Sequence, residues 1–224
     1  MSRKIDFSID EFYHIYNRGS GKMSIFLDDF DRQRFQKLLY VCNSSKPVVF
    51  KTIQGLALDK IERGKTLVDI GAYCLMPNHF HLLLKEKIDN GTSLFIGKLL
   101  TAYSMFFNKK YERTGTLFEG PFQATHADID EYLKYLISYI HLNPVKIINP
   151  EWKDKGILNI SNAKKYLNQY KYSSYIDYLD YDREEKVILN RKSFPEYFAT
   201  PKEFSWFIDE WLLYKEFAQE EIIL

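Results

Sequence analysis

Two apolar runs, LVDIGAYCLM at 67–76 and HFHLLLK at 79–85, are separated only by Pro77 and Asn78. Both runs are rich in residues that suit a pleated surface, and a Pro-Asn step leaves room for nothing but a tight reversal. An antiparallel hairpin is expected here, and the rest of the chain has to be arranged around it. Upstream, FYHIYNRG (12–19) alternates and reads as a strand ended by Gly19. DDFDRQRFQKLLYVC then places Phe35, Leu38, Leu39 and Cys42 at helical spacing, with Asp28 or Asp29 able to cap.

Downstream, TSLFIGKLLTAYSMFFNKKYERTG repeats its apolar residues every 3.6 positions and stops before Gly115. PFQATHA reads as a short strand. A capping-box-like Asp128–Glu131 pair opens IDEYLKYLISYIHLN, which Pro144 ends. The order β-α-β-β-α-β-α predicts an α+β protein with the ferredoxin-like split βαβ arrangement, an antiparallel sheet with helices. Residues 1–145 are expected to form this domain, 146–181 to continue it as a Tyr/Lys-rich basic stretch, and 182–224 to add an acidic helical extension. In that extension PKEFSWFIDEWLLYKEFAQEE predicts one amphipathic helix begun at Pro201.

Composition narrows the class. The chain is 46% hydrophobic and 17% aromatic, enough for a core, and it has no 18-residue apolar stretch or signal-like N-terminus. Cys42 and Cys74 form no CxxC pair, which suits buried thiols in a reducing, cytoplasmic setting. The net charge of +1 hides an asymmetry: residues 177–224 hold 12 acidic and 6 basic residues, and residues 1–176 hold 25 basic and 18 acidic. The basic part admits a polyanionic partner.

His79 and His81 are two of five histidines, and side chains alternate along a strand. They therefore share one face with Leu83, while Phe80, Leu82 and Leu84 share the other. That places the two imidazoles roughly 6–7 Å apart along the strand, able to converge on one divalent ion or one phosphate oxygen. Two ligands do not complete a metal site, and His14, His126, His141, Cys74 and the amides are the candidates for a third. On the helix near 129–142, about 100° per residue groups Ile129, Leu133, Leu136, Ile137 and Ile140 on a core face. Tyr135, Tyr139 and Asn143 form a flanking polar-aromatic stripe, and Lys134, Ser138 and His141 fall on an expected solvent side. His141 thus points away from Tyr139, whereas Tyr139 and Asn143 can look into one site.

YHIYNRG, AYCLMPNHFHLLL, FNKKYERTGTLFEGPFQATHADIDEYLKYLISYIHLNPVK and YSSYIDY together resemble the HUH single-tyrosine transposases. The nearest branch is that of the REP-associated tyrosine transposase-like proteins, related to insertion-sequence transposases of the 200/605 type. The resemblance spans residues 12–181 in order. It implies that His79 and His81 hold Mg²⁺ or Mn²⁺, that Asn143 is the third ligand, and that Tyr139 is the nucleophile. It also implies attack on a phosphodiester of single-stranded or hairpin DNA, a 5′-phosphotyrosine intermediate and rejoining of strands, in a bacterial-type cytoplasm at the nucleoid. Relatives act as monomers or exchange the tyrosine helix within a homodimer, and both states stay open.

Lys98, Lys109, Lys110, Arg113 and Lys146 are candidate DNA contacts, since lysines can bind phosphates and the neighbouring aromatics can stack on unpaired bases. Two other readings remain in play. One is a domesticated, catalytically silent DNA-binding protein. The other is a ferredoxin-like nucleic-acid-binding domain with a structural metal at His79, His81 and Cys74.

Overall fold

A computed structural model describes residues 5–47, 49–157 and 159–213. Four strands, β1 (Phe12–Arg18), β2 (Val68–Met76), β3 (His79–Glu86) and β4 (Gln123–His126), form one sheet in the order β2-β3-β1-β4. All neighbours are antiparallel, with Tyr16 opposite His81 and Arg18 opposite His79. Helices α1 (Asp29–Cys42) and α2 (Gly91–Lys110) make the two crossovers, giving the split βαβ topology that the order of elements predicts. After β4 come α3 (Asp130–Leu142), α4 (Val145–Ile148), α5 (Trp152–Lys155), α6 (Ile160–Gln169), α7 (Tyr175–Tyr178) and α8 (Pro201–Leu213).

Local chemistry explains the entry into α1. Asp28 caps it, accepting from the Asp31 amide while the Asp31 carboxylate accepts from the Asp28 amide. Helices α1 and α2 cover the sheet face that carries Phe80, where Phe35 packs 5.1 Å from Phe80 and 5.0 Å from Tyr103 between ring centroids. Helix α3 covers the other face, the one that carries the histidines.

Helix α3 departs from expectation in two ways. The Asp128–Glu131 capping box does not form. Ile129 is the N-cap with extended dihedrals and no side-chain bond, and the Asp130 carboxylate instead accepts from the Tyr197 hydroxyl at 2.5 Å. The expected solvent side is also buried. Ser138 and His141 are sealed, because residues 170–213 fold back over them.

That returning segment closes the edge of β2. Leu75 donates its amide to the Tyr172 carbonyl at 2.9 Å, Ser174 donates to the Tyr73 carbonyl at 2.9 Å, and Asn190 donates to the Ile70 carbonyl at 2.9 Å. A register shift at Gly71 lets Phe194 lie on the strand, where a β-carbon on Gly71 would meet the Phe194 ring at 2.7 Å. Helix α8 buries Phe204, Ile208 and Leu212 against this assembly. The remainder of the helix predicted from Pro201 lies outside the described residues. No helix among the described residues is long and apolar enough to cross a membrane.

Candidate active site

The tight turn at Pro77-Asn78 ends β2 and starts β3, so His79 enters the sheet half-buried and His81 fully buried on one face. Their rings stand edge to face with centroids 5.0 Å apart. The His79 Nδ1 is 2.6 Å from the Asn78 side-chain oxygen, and the Asn78 amide group donates to the Lys22 carbonyl at 3.3 Å. An amide oxygen only accepts, so His79 carries its proton on Nδ1 and leaves Nε2 bare. Burial, reinforced by the charges of Lys146 and Arg18, holds the His79 pKa down to about 4.

Helix α3 aims Tyr139 at these rings. Its centroid is 5.4 Å from that of His81 and 5.8 Å from that of His14, edge to face in both cases. Burial pushes the phenol up to about 12, with nearby Tyr16 adding to the rise and the Asn143 side chain opposing it. Asn143 keeps right-handed helical dihedrals (φ −51°, ψ −39°) although Pro144 follows, so it stays one turn below Tyr139. Its Nδ2 donates to the Tyr139 carbonyl at 2.8 Å. Its Oδ1 is buried and has no hydrogen-bond partner. A buried, unsatisfied acceptor is costly, and an amide oxygen of this kind has the chemistry of a cation ligand.

Tyr139 thus stands against the histidine pair at His81, with Asn143 bonded to it one turn away, and the charge of Lys146 on α4 is felt at His79. Lys146 is half-buried, its pKa lowered by burial, and no carboxylate pairs with it among the described residues. The other four basic candidates lie on or just after α2, across the sheet from the histidines. Lys98 donates to the Ser44 carbonyl at 2.5 Å, and Lys110 is tied to Asp28 and Asp31. Arg113 lies over the Phe107 ring, and Lys109 is exposed.

His141 is where its angle on the helix put it, pointing away from Tyr139, but its Nε2 lies 2.7 Å from Ser174 Oγ instead of in solvent. His126 pairs with Glu11 at 2.8 Å. Cys74 is paired across the sheet with His81, yet it is fully buried, and burial drives its thiol well above the usual range. That disfavours it as a thiolate ligand. Among the described residues no three His, Cys, Asp or Glu side chains cluster for a metal. The residue that sequence reasoning left unassigned is His14, whose Nε2 lies 2.9 Å from His81 Nδ1. Its signal was available: on β1 it alternates onto the same side as Tyr16, the partner of His81.

Residues 36–143 match the sequence model of the family described as "Transposase IS200 like". No curated protein matches the chain significantly. Among solved structures, the fold is similar to that of a REP-associated tyrosine transposase bound to a REP hairpin. The TM-score is 0.51 at 11% identity, over 89% of this chain and 91% of that one. The matched segment runs from α1 to Asn143, taking in both histidines and Tyr139, and the fold around it is similar to that of the REP-associated transposase; this segment carries the sequence pattern of the IS200-like transposases.

Proposed function

We propose that this protein nicks single-stranded DNA at or beside a hairpin and holds the cut end as a 5′-phosphotyrosine on Tyr139 until it is rejoined. One observation carries the reading: Tyr139 of the same chain stands against the His79/His81 pair with the unsatisfied Asn143 Oδ1 one turn away. The hairpin bound by the similar transposase structure supports the choice of DNA.

In the proposed step the Tyr139 oxygen forms a bond to phosphorus as the bond to the 3′-oxygen breaks. The phenol gives up its proton and the departing 3′-oxygen takes one up, so charge and atoms balance. One phosphodiester replaces another, and a free 3′-hydroxyl can reverse the exchange with no external energy source. Tyr139 is protonated at neutral pH, because burial holds its pKa near 12. Losing that proton is part of the barrier.

His79, His81 and Asn143 would hold a divalent cation, Mg²⁺ or Mn²⁺, which when bound offsets the charge of the phosphate oxygens and orients the phosphorus. His79 stays neutral well below pH 7, so its lone pair is available to a ligand at working pH. Lys146 adds a fixed positive charge beside His79, placed to attract the phosphate backbone.

The test uses single-stranded hairpin DNA labelled at its 3′ end, incubated with the protein and Mn²⁺ and resolved on a denaturing gel. A labelled protein band is expected, and Tyr139→Phe abolishes it. A band that persists in the variant would reassign the nucleophile. No band with any hairpin drawn from the flanking DNA would favour a DNA-binding protein without turnover.

A further inference from the structure

His14 and His81 are sealed together inside the sheet-helix interface, 2% and 1% exposed. Their rings stack at 5.1 Å and 23°, with His14 Nε2 2.9 Å from His81 Nδ1. Two neutral imidazoles joined in this way share one proton, and its location sets both tautomers. If His14 donates, His81 must carry its own proton on Nε2, and that nitrogen can ligate nothing. If His81 donates from Nδ1, its Nε2 keeps a lone pair.

The proposed metal site selects the second arrangement: with His81 Nδ1 turned to His14 at 2.9 Å, a ligand nitrogen on His81 has to be Nε2. Asn78 sets the corresponding tautomer on the neighbouring ligand, His79, fixing its proton on Nδ1. In this arrangement His14 carries its own proton on Nδ1, which is buried without a partner, a standing cost that an apolar strand residue at this position would avoid.

We infer that His14 is a positioning residue for the metal site: it accepts the Nδ1–H of His81 and so presents His81 Nε2 to the cation. Asn78 does the same for His79, and the pair of acceptors turns the HFH strand into a two-nitrogen clamp before any ion arrives. Outer acceptors of this kind fix ring orientation and raise ligand basicity. The inference rests on the site being the metal site of the proposed nicking reaction, but its first measurement needs neither metal nor DNA.

Long-range proton–nitrogen correlation spectra of the metal-free full chain report which nitrogen of His81 is protonated. Nδ1 is expected in the wild type and in His14→Gln, whose side-chain oxygen can accept; a mixture or Nε2 is expected in His14→Leu. Calorimetric titration with Mn²⁺ is expected to show about a 10- to 100-fold loss of affinity in His14→Leu, largely recovered in His14→Gln. Thermal melts verify that both variants fold, and the wild-type spectrum decides alone if His14→Leu does not. A His81 proton on Nε2 in the wild type, or unchanged Mn²⁺ affinity in a folded His14→Leu, overturns the inference. If spectra and affinities behave as expected while no DNA adduct forms, the positioning role stands and the nicking reading falls.

Discussion

His141 lies between Ser174, Tyr178 and Phe204, fully buried, and burial holds its pKa at about 3, with the charge of Arg191 adding to the drop. An unfolded histidine titrates near 6.5, so below that pH the unfolded chain binds a proton that the folded one refuses. The contribution to stability is complete above pH 6.5 and is lost as pH falls toward 3. At pH 5 the loss is about 2 kcal/mol for this one residue. Urea unfolding between pH 7 and 5 is expected to show that fall, and His141→Gln, which can still bond Ser174, should flatten the slope by roughly a third, since His14 and His79 are held down in the same way. An identical slope in the variant would show that His141 does not share in the acid response. Periodicity placed His141 correctly relative to Tyr139 but misjudged its surroundings. An angle on a helix says which residues share a face, and only the distant residues 174, 178 and 204 decide whether that face meets water.

The elements whose signals are local were legible. The Pro77-Asn78 turn, the β1 alternation and the Asp28 cap each depend on residues within a few positions, and each appears as expected. The Asp128–Glu131 cap on α3 does not form, since the helix starts one residue later, with Ile129 as its N-cap, and the adjacent Asp130 is engaged by Tyr197, 67 residues away. The same long-range economy makes the α1 cap more than a local device. Asp31 is fully buried and its carboxylate accepts from the Leu27 amide at 2.8 Å, the Tyr111 hydroxyl at 2.7 Å and Lys110 at 2.7 Å. It therefore ties the start of α1 to the end of α2. Asp31→Ala is expected to cost about 2–4 kcal/mol, because it strands buried donors and leaves Lys110 only its more exposed contact with Asp28. Asp28→Ala removes mainly the cap and should cost about 1 kcal/mol. Denaturant midpoints compare the two, and equal costs would mean the α1–α2 tie adds nothing to the cap. The four basic residues on and just after α2 had looked like one DNA-binding group. Lys110 belongs to this tie and Lys98 to the loop at Ser44, a use no lysine count could have revealed.

At the scale of the molecule, the face that carries the histidine pair adjoins a sheet edge that the chain closes for itself. Strand β2 is buried along its whole length, since residues 172–174 and 190 bond to its outer edge and Phe194 lies on Gly71. An open edge is a template for pairing with other chains, and here it is filled. Ser174 is the pin. Its Oγ accepts from the Tyr73 amide at 2.9 Å and lies 2.7 Å from His141 Nε2 on α3, so one hydroxyl joins the returning segment, the edge strand and the tyrosine helix. Helix α3 also carries Tyr139 and Asn143, and loosening it here should reach the proposed nucleophile through the helix itself. Ser174→Ala leaves the Tyr73 amide and the His141 ring without this partner, at an expected cost of about 2–4 kcal/mol. Hydrogen exchange separates this from a general loss of stability. Protection should drop first at the Tyr73 and Ser174 amides and along α3, while β1 and α1 keep theirs in proportion to the global change. Uniform loss of protection throughout the sheet would mean that the edge and the tyrosine helix open only with the whole fold, and that Ser174 does not couple them.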